Sequence, residues 1–187
     1  MAVVELLSAD QVPPEVSAVF EAVEREYGFV PNILRAMSHS PELLVSFVPL
    51  WAQVYASPAI GPRLRALAAL GTAKAQDCSY CVTHMTASAR RAGVSDEELA
   101  AVGVLAAQQA VFAEREALML NLADTLTRDP DGVTDELRSR LASEFAPDEL
   151  VTVVLAVGMY NLTSRFLKAL DIEVEDVFQA SAPSPSA

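Results

Sequence analysis

The chain has 187 residues, 52% of them hydrophobic and 20% charged, with a formal net charge of -12 at pH 7. Such an acidic balance argues against nucleic acid and against anionic membrane surfaces as partners. A mean hydropathy of +0.28 is high for a soluble monomer, so either the core is large or a second copy covers apolar surface.

Alanine, leucine and glutamate dominate, only 7 glycines occur, and no segment alternates apolar and polar residues as a strand would. These features predict an all-α fold. Residues 1–12 read as an N-terminal extension and 13–178 as a single all-helical domain. Pro13-Pro14 opens a first helix through Glu26, which Gly28 closes. Val30-Pro31-Asn32 starts a short helix ending near Ser38. Ser40, Pro41 and Glu42 supply an N-cap, a first-position proline and a first-turn acid for a helix to about Ala56. Ser57-Pro58 and Gly61-Pro62 break the chain, and Pro62 leads a helix to about Gln76. Asp77 is expected to cap the next helix, which carries both cysteines and ends at Gly93. Ser95-Asp96-Glu97-Glu98 is a capping box for the one that follows. Further helices read over 113–127, 134–145 and 147–170, with Asp129-Pro130-Asp131-Gly132 as the clearest turn. The apolar run 151–160 is too short to cross a bilayer. Residues 179–187, rich in serine and proline, read as a disordered tail. Segments 64–74 and 151–161 are both small and apolar, with Gly71 aligned to Gly158, and read as two buried helices. The pairs Arg63/Arg65 and Arg90-Arg91 read as solvated helix surface.

The chemistry concentrates in Cys78-Ser79-Tyr80-Cys81-Val82-Thr83-His84, which holds both cysteines and one of the two histidines. Residues three apart share a helix face, so Cys78, Cys81 and His84 lie along one line. A second thiol, a histidine or a helix N-terminus each favours the reactive thiolate. The pattern points to a dithiol/disulfide redox centre, and with no third cysteine nothing competes for the disulfide. A zinc site on Cys78, Cys81 and His84 is the rival, but a structural site wants four ligands and His39 sits in a different loop. His84 reads equally as a proton carrier or as a helix-face histidine without chemistry. Tyr80 and Met85, Met119 and Met159 read as packing residues. Trp51 and Tyr55 read as the wall of a pocket or of an interface, and Asn161 with Arg165 as polar residues at the site, at an interface or at the surface.

Beyond the dithiol, Pro62-Arg63-Leu64-Arg65, His84 and Ala92-Gly93-Val94-Ser95-Asp96-Glu97-Glu98 carry a resemblance to the carboxymuconolactone decarboxylase superfamily, and within it to the alkylhydroperoxidase D-like proteins. Tyr27-Gly28-Phe29-Val30-Pro31-Asn32, His39-Ser40-Pro41, Tyr160-Asn161, Arg165-Phe166 and Ala169-Leu170 resemble its peroxidase-related branch, so the likeness runs from about Pro13 to Asp176. The resemblance implies an all-helical fold assembled as a dimer, trimer or hexamer. It also implies that Cys81 is the peroxidatic cysteine and Cys78 the resolving one. The family's relay glutamate, twelve residues before the first cysteine, falls on Ala66. Its relay histidine, four residues after the second, falls on Met85, and His84 stands one residue, about 100° of helix, earlier.

The function expected is therefore a thiol-dependent (alkyl)hydroperoxide reductase needing no cofactor and no metal. Cys78 and Cys81 carry the chemistry and His84 the proton, with a peroxide as substrate and an external dithiol as reductant. Two other classes stand beside it: a cofactor-free decarboxylase of the kind that names the superfamily, and a non-catalytic redox-sensing oligomer. The N-terminus lacks the basic start and apolar stretch of a signal peptide, so a cytoplasmic address is expected.

Overall fold

A computed structural model describes residues Ala2–Gln179. The described residues run through eleven α-helices: α1 (Pro14–Tyr27), α2 (Asn32–Met37), α3 (Pro41–Tyr55), α4 (Pro62–Ala75), α5 (Ser79–Arg91), α6 (Asp96–Ala101), α7 (Leu105–Val111), α8 (Glu114–Arg128), α9 (Asp135–Glu144), α10 (Pro147–Ala169) and α11 (Asp176–Gln179). Among the described residues there is no strand, so the all-α expectation holds. The expected tail over 179–187 lies, past Gln179, outside the described residues. Helices α7 and α11 have no start signal in the sequence pattern. In α7 the N-cap is Val104, whose side chain makes no cap hydrogen bond.

Contacts divide the chain into two compact units, one of the residues up to Ala52 with those from Phe166 on, the other Gln53–Arg165. In the first, Val16, Phe20, Val23, Leu34 and Leu44 form the core. Gly28 closes α1 at φ 82°, its N–H on Glu24 O, a left-handed position glycine occupies without strain. The buried Glu175 carboxylate accepts the Asn32 backbone N–H at 2.6 Å. The Arg35 guanidinium donates to Leu6 O and Leu7 O, each at 3.0 Å, and so ties down the N-terminal extension. Trp51 packs against Tyr27 with ring centroids 6.1 Å apart.

The second unit is built around α4. Ten of its residues are buried, including the run from Ala66 to Ala73, as for a helix enclosed on all sides. Gly71 allows the close approach of α8: a Cβ there would stand 3.0 Å from Leu120 Cδ2 and 3.5 Å from Ala123 Cβ. Arg63 is not solvated surface. Its guanidinium bridges Glu98 of α6 and Glu116 of α8 and also donates to Gly93 O at 3.0 Å. Arg65 lies over the Tyr55 ring, 4.6 Å from its centroid. Both arginines sit at the half-buried edge of a helix whose neighbours supply acids and an aromatic face, which their local sequence does not reveal. Arg90 and Arg91 are exposed, as expected.

Helix α10 extends well past the 151–160 run. Its 23 residues are long and apolar enough, by length and composition alone, to cross a membrane. Val153, Ala156, Val157, Tyr160 and Ser164 are buried, while Val151, Val154, Leu155 and Leu162 are exposed. The aligned segment 151–161 is therefore not a second fully buried helix.

Candidate functional site

The site begins where α4 stops. Asp77 adopts a left-handed conformation, φ 50°, and the amides of Asp77 and Cys78 donate to Lys74 O and Ala73 O, both at 3.1 Å. These paired bonds are a Schellman closure, which turns the chain off the helix axis through a residue of positive φ. Glycine is usual there, and aspartate is among the few L-residues that tolerate it. Asp77 thus ends α4 and does not cap α5, contrary to the sequence expectation. The N-cap is Cys78, whose Sγ accepts the backbone N–H of Cys81 at 3.3 Å.

Cys81 lies in the first turn of α5, and its Sγ is 3.1 Å from Ser164 Oγ on α10. Neither cysteine is in a disulfide. Cys78 and Cys81 are 2% and 5% exposed and Ser164 is fully enclosed. The hydrogen bond with Cys78, followed by burial, pushes the Cys81 thiol well above the usual range, and Ser164 opposes the shift only partly.

The Ser164 hydroxyl had no local sequence signal beyond being a small polar residue on an apolar helix. Asn161, one turn earlier and a polar candidate in the sequence, has a defined place in the structure. Its Oδ1 accepts from Gln76 Nε2 at 2.9 Å, and its Nδ2 donates to Thr127 Oγ1 at 3.0 Å. Gln76 immediately precedes the Asp77-Cys78 turn, so this network joins α4, α8 and α10 next to the dithiol. Arg165, exposed, donates to Asn161 O at 3.0 Å.

His84 is half-buried and stacks on Tyr80, ring centroids 4.5 Å apart and planes 14° from parallel. Tyr80 is therefore the wall against which the histidine lies. The two positions where the resemblance puts its proton relay are apolar. Ala66 is buried in the core and Met85 packs against it. Met119 and Met159 are buried, as expected for core fillers. His39 is exposed, its Nε2 2.9 Å from Glu5 O. Among the described residues no three His, Cys, Asp or Glu side chains gather as a metal-holding group, so Cys78, Cys81 and His84 are not brought together as a zinc ligand set.

Residues 41–124, which include the dithiol, match the carboxymuconolactone decarboxylase family. The uncharacterized protein YnjA of Escherichia coli strain K12 is 34% identical over 155 residues, which span 81% of this chain and 83% of YnjA. The chain belongs to the carboxymuconolactone decarboxylase family. The AhpD core of an uncharacterized peroxidase-related protein from Ralstonia eutropha JMP134 shares the fold at a TM-score of 0.83 with 19% identity, over 95% of this chain and 94% of that one. A cysteine-to-alanine variant of the debrominase Bmp8, in complex with 2,3,4-tribromopyrrole, shares it at 0.79 with 24% identity, over 96% and 95%. The helical arrangement around α4 and α5 is therefore the AhpD-like form of the carboxymuconolactone decarboxylase fold.

Proposed function

We propose that this chain is a dithiol oxidoreductase that reduces a small hydroperoxide, ending each turnover with a Cys78–Cys81 disulfide that an external dithiol reduces. The observation that carries the reading is the pairing of the two thiols at the head of α5, where Cys78 Sγ already accepts the Cys81 N–H. In the overall reaction two thiols and ROOH give one disulfide, ROH and water, and the dithiol supplies two electrons. His84, its ring plane set by Tyr80, is proposed to exchange the proton with solvent. The chain is proposed to act as a homo-oligomer in a reducing, cytoplasmic compartment, where such a pair is kept ready as a dithiol.

Peroxide consumption by the reduced protein, followed together with loss of free thiol, tests this. Stoichiometric disulfide formation that disappears when either cysteine is replaced by serine is expected. Oxidation no faster than that of a free cysteine overturns it, as does turnover of a carboxylated lactone that survives loss of both cysteines.

The shared fold with the debrominase Bmp8 favours a second reading. The same two electrons could reduce a brominated aromatic, with two thiols and ArBr giving a disulfide, ArH and HBr. Bromide release from a bromopyrrole by the reduced chain separates it from the peroxide reading.

A further inference from the structure

Helix α10 carries an apolar seam that the rest of the described chain leaves uncovered. Val151, Leu155, Gly158 and Leu162 are all exposed and recur at intervals of four, three and four residues, the spacing of a seam that packs on a second helix. Val154, 41% exposed, widens it on one side. Residues 150–164 hold no charged side chain in a chain of net charge -12, so two copies meet here with the least repulsion. Opposite charges mark the two ends: Asp148 in the first turn and Arg165 toward the other end, both exposed. Among the described residues neither has an ion-pair partner, and the Arg165 guanidinium rests on Asn161 O of its own helix at 3.0 Å. Gly158 is the midpoint of the 23 residues of α10. A Cβ built there meets nothing within 4 Å, and a glycine at a crossing point lets two backbones approach closely.

We propose that this seam is where a second copy of the chain docks, the two α10 helices running antiparallel about a two-fold axis at Gly158. Under that symmetry, residues equally far from Gly158 in sequence face each other. Val154 meets Leu162 of the second copy. Val151 meets Arg165 of the second copy, whose guanidinium then reaches Asp148 one turn away. The interface is isologous, so this ion pair forms twice. A parallel pair would set Arg165 beside Arg165 and Asp148 beside Asp148, which like-charge repulsion opposes. The inference gives the homo-oligomer of the reading above its interface, rests on that part of the reading alone and does not involve the peroxide chemistry. The opposite face of the same helix carries Ser164, 3.1 Å from Cys81, so the second copy closes the outer side of the helix that backs the dithiol.

Sedimentation velocity of the full chain over a micromolar concentration series tests this. A single helix pair is a small interface, so a reversible dimer is expected rather than a permanent one. Leu155→Glu puts charge into the seam and should raise the dissociation constant about ten-fold or more. Its urea midpoint at monomeric dilution should stay that of the unaltered chain, because Leu155 is exposed there. Asp148→Arg and Arg165→Asp should each weaken the dimer about ten-fold, and the chain carrying both should recover most of the loss, since each reversed charge again faces its complement. A fold defect is not repaired by a second reversal. A chain that stays monomeric throughout overturns the proposal together with the homo-oligomer reading, and flotation of that monomer with phosphatidylcholine vesicles would give the seam to lipid instead. An oligomer that persists through Leu155→Glu and both reversals overturns the interface and leaves the homo-oligomer reading standing. Single losses that the double reversal does not recover overturn the antiparallel pairing. Peroxide consumption enters none of these measurements, so failure of the dithiol chemistry leaves their outcome untouched.

Discussion

Helices α4 and α10 look alike in sequence and are treated differently by the fold. Both are rich in small apolar residues, and each carries a late glycine, Gly71 or Gly158. Helix α4 is buried along its length from Ala66 to Ala73, and its charged ends are tied to neighbouring helices. Arg63 is bridged to two glutamates, and Lys74 Nζ donates to Leu99 O at 2.6 Å and Val102 O at 3.0 Å, so finishing the end of α6. Helix α10 is closed on one face only. Val151, Val154, Leu155 and Leu162 recur at helical spacing along the other and are 41–59% exposed, and nothing lies within 4 Å of a Cβ built on Gly158. Composition reports how apolar a helix is but not how many of its sides are covered. Helix α10 has two environments without the polar face that ordinarily marks the wet one.

The sharpest way to break this contrast is to cut a side chain from each helix. Leu67→Ala, at a fully buried position, should cost about 2–5 kcal/mol, and Leu155→Ala well under about 1 kcal/mol, in urea unfolding of the isolated chain. Equal losses would show that the α10 stripe is as well covered as α4.

Acid should loosen the closed end of α4 next. Hydrogen bonding from Arg63 holds the Glu98 carboxyl down to about 2, against 4.5 for the unperturbed group. A depressed carboxyl contributes stability that is whole above the unfolded value and is lost as pH falls through the folded one. The urea midpoint should therefore fall between pH 4.5 and 2, and Glu98→Gln should flatten that part of the profile. An unchanged slope in the variant would remove Glu98 from the account.

The two glycines sharpen the comparison further. Gly71→Leu meets Leu120 at once and should cost about 1–3 kcal/mol. Gly158→Leu enters open space and should leave thermal stability unchanged, or raise it by about 0.5–1 kcal/mol from helix propensity. A Gly158→Leu chain as unstable as its Gly71 counterpart would contradict the open face.

The smallest expected effect comes from the covered face of α10. Ser164→Ala removes one hydrogen bond to a buried sulfur, worth about 0.5–1.5 kcal/mol. It should change the rate of disulfide formation by a few-fold, read by stopped-flow loss of free thiol, and Ser164→Thr should restore that rate. An unchanged rate would make Ser164 a general packing residue.

Where the determinants were local, the sequence was legible. Prolines at helix starts, the Ser95–Glu98 capping box and Gly28 set boundaries to within a residue or two, and the i, i+3 cysteines share one helix end because helical geometry requires it. Features that depend on chain brought from a distance were not legible. Ser164 lies 83 positions from Cys81, and nothing near residue 164 marks it as a partner for sulfur. Asp77 misled for a different reason. Aspartate is good at capping a helix start and also tolerates the left-handed turn that ends one, and only the hydrogen bonds of α4 decide between them. Arg63 likewise looks like a surface charge until α6 and α8 present their glutamates.

The cap sulfur has a consequence for the backbone. In the reduced chain Cys78 Sγ holds the amide proton of Cys81. Once joined in a disulfide, that sulfur can no longer carry a thiolate charge and becomes a poorer acceptor, so the opening turn of α5 loses part of its anchor. Deuterium exchange at this one amide should run faster in the oxidised protein, so that the oxidation state can be followed through the main chain without any reagent touching either thiol.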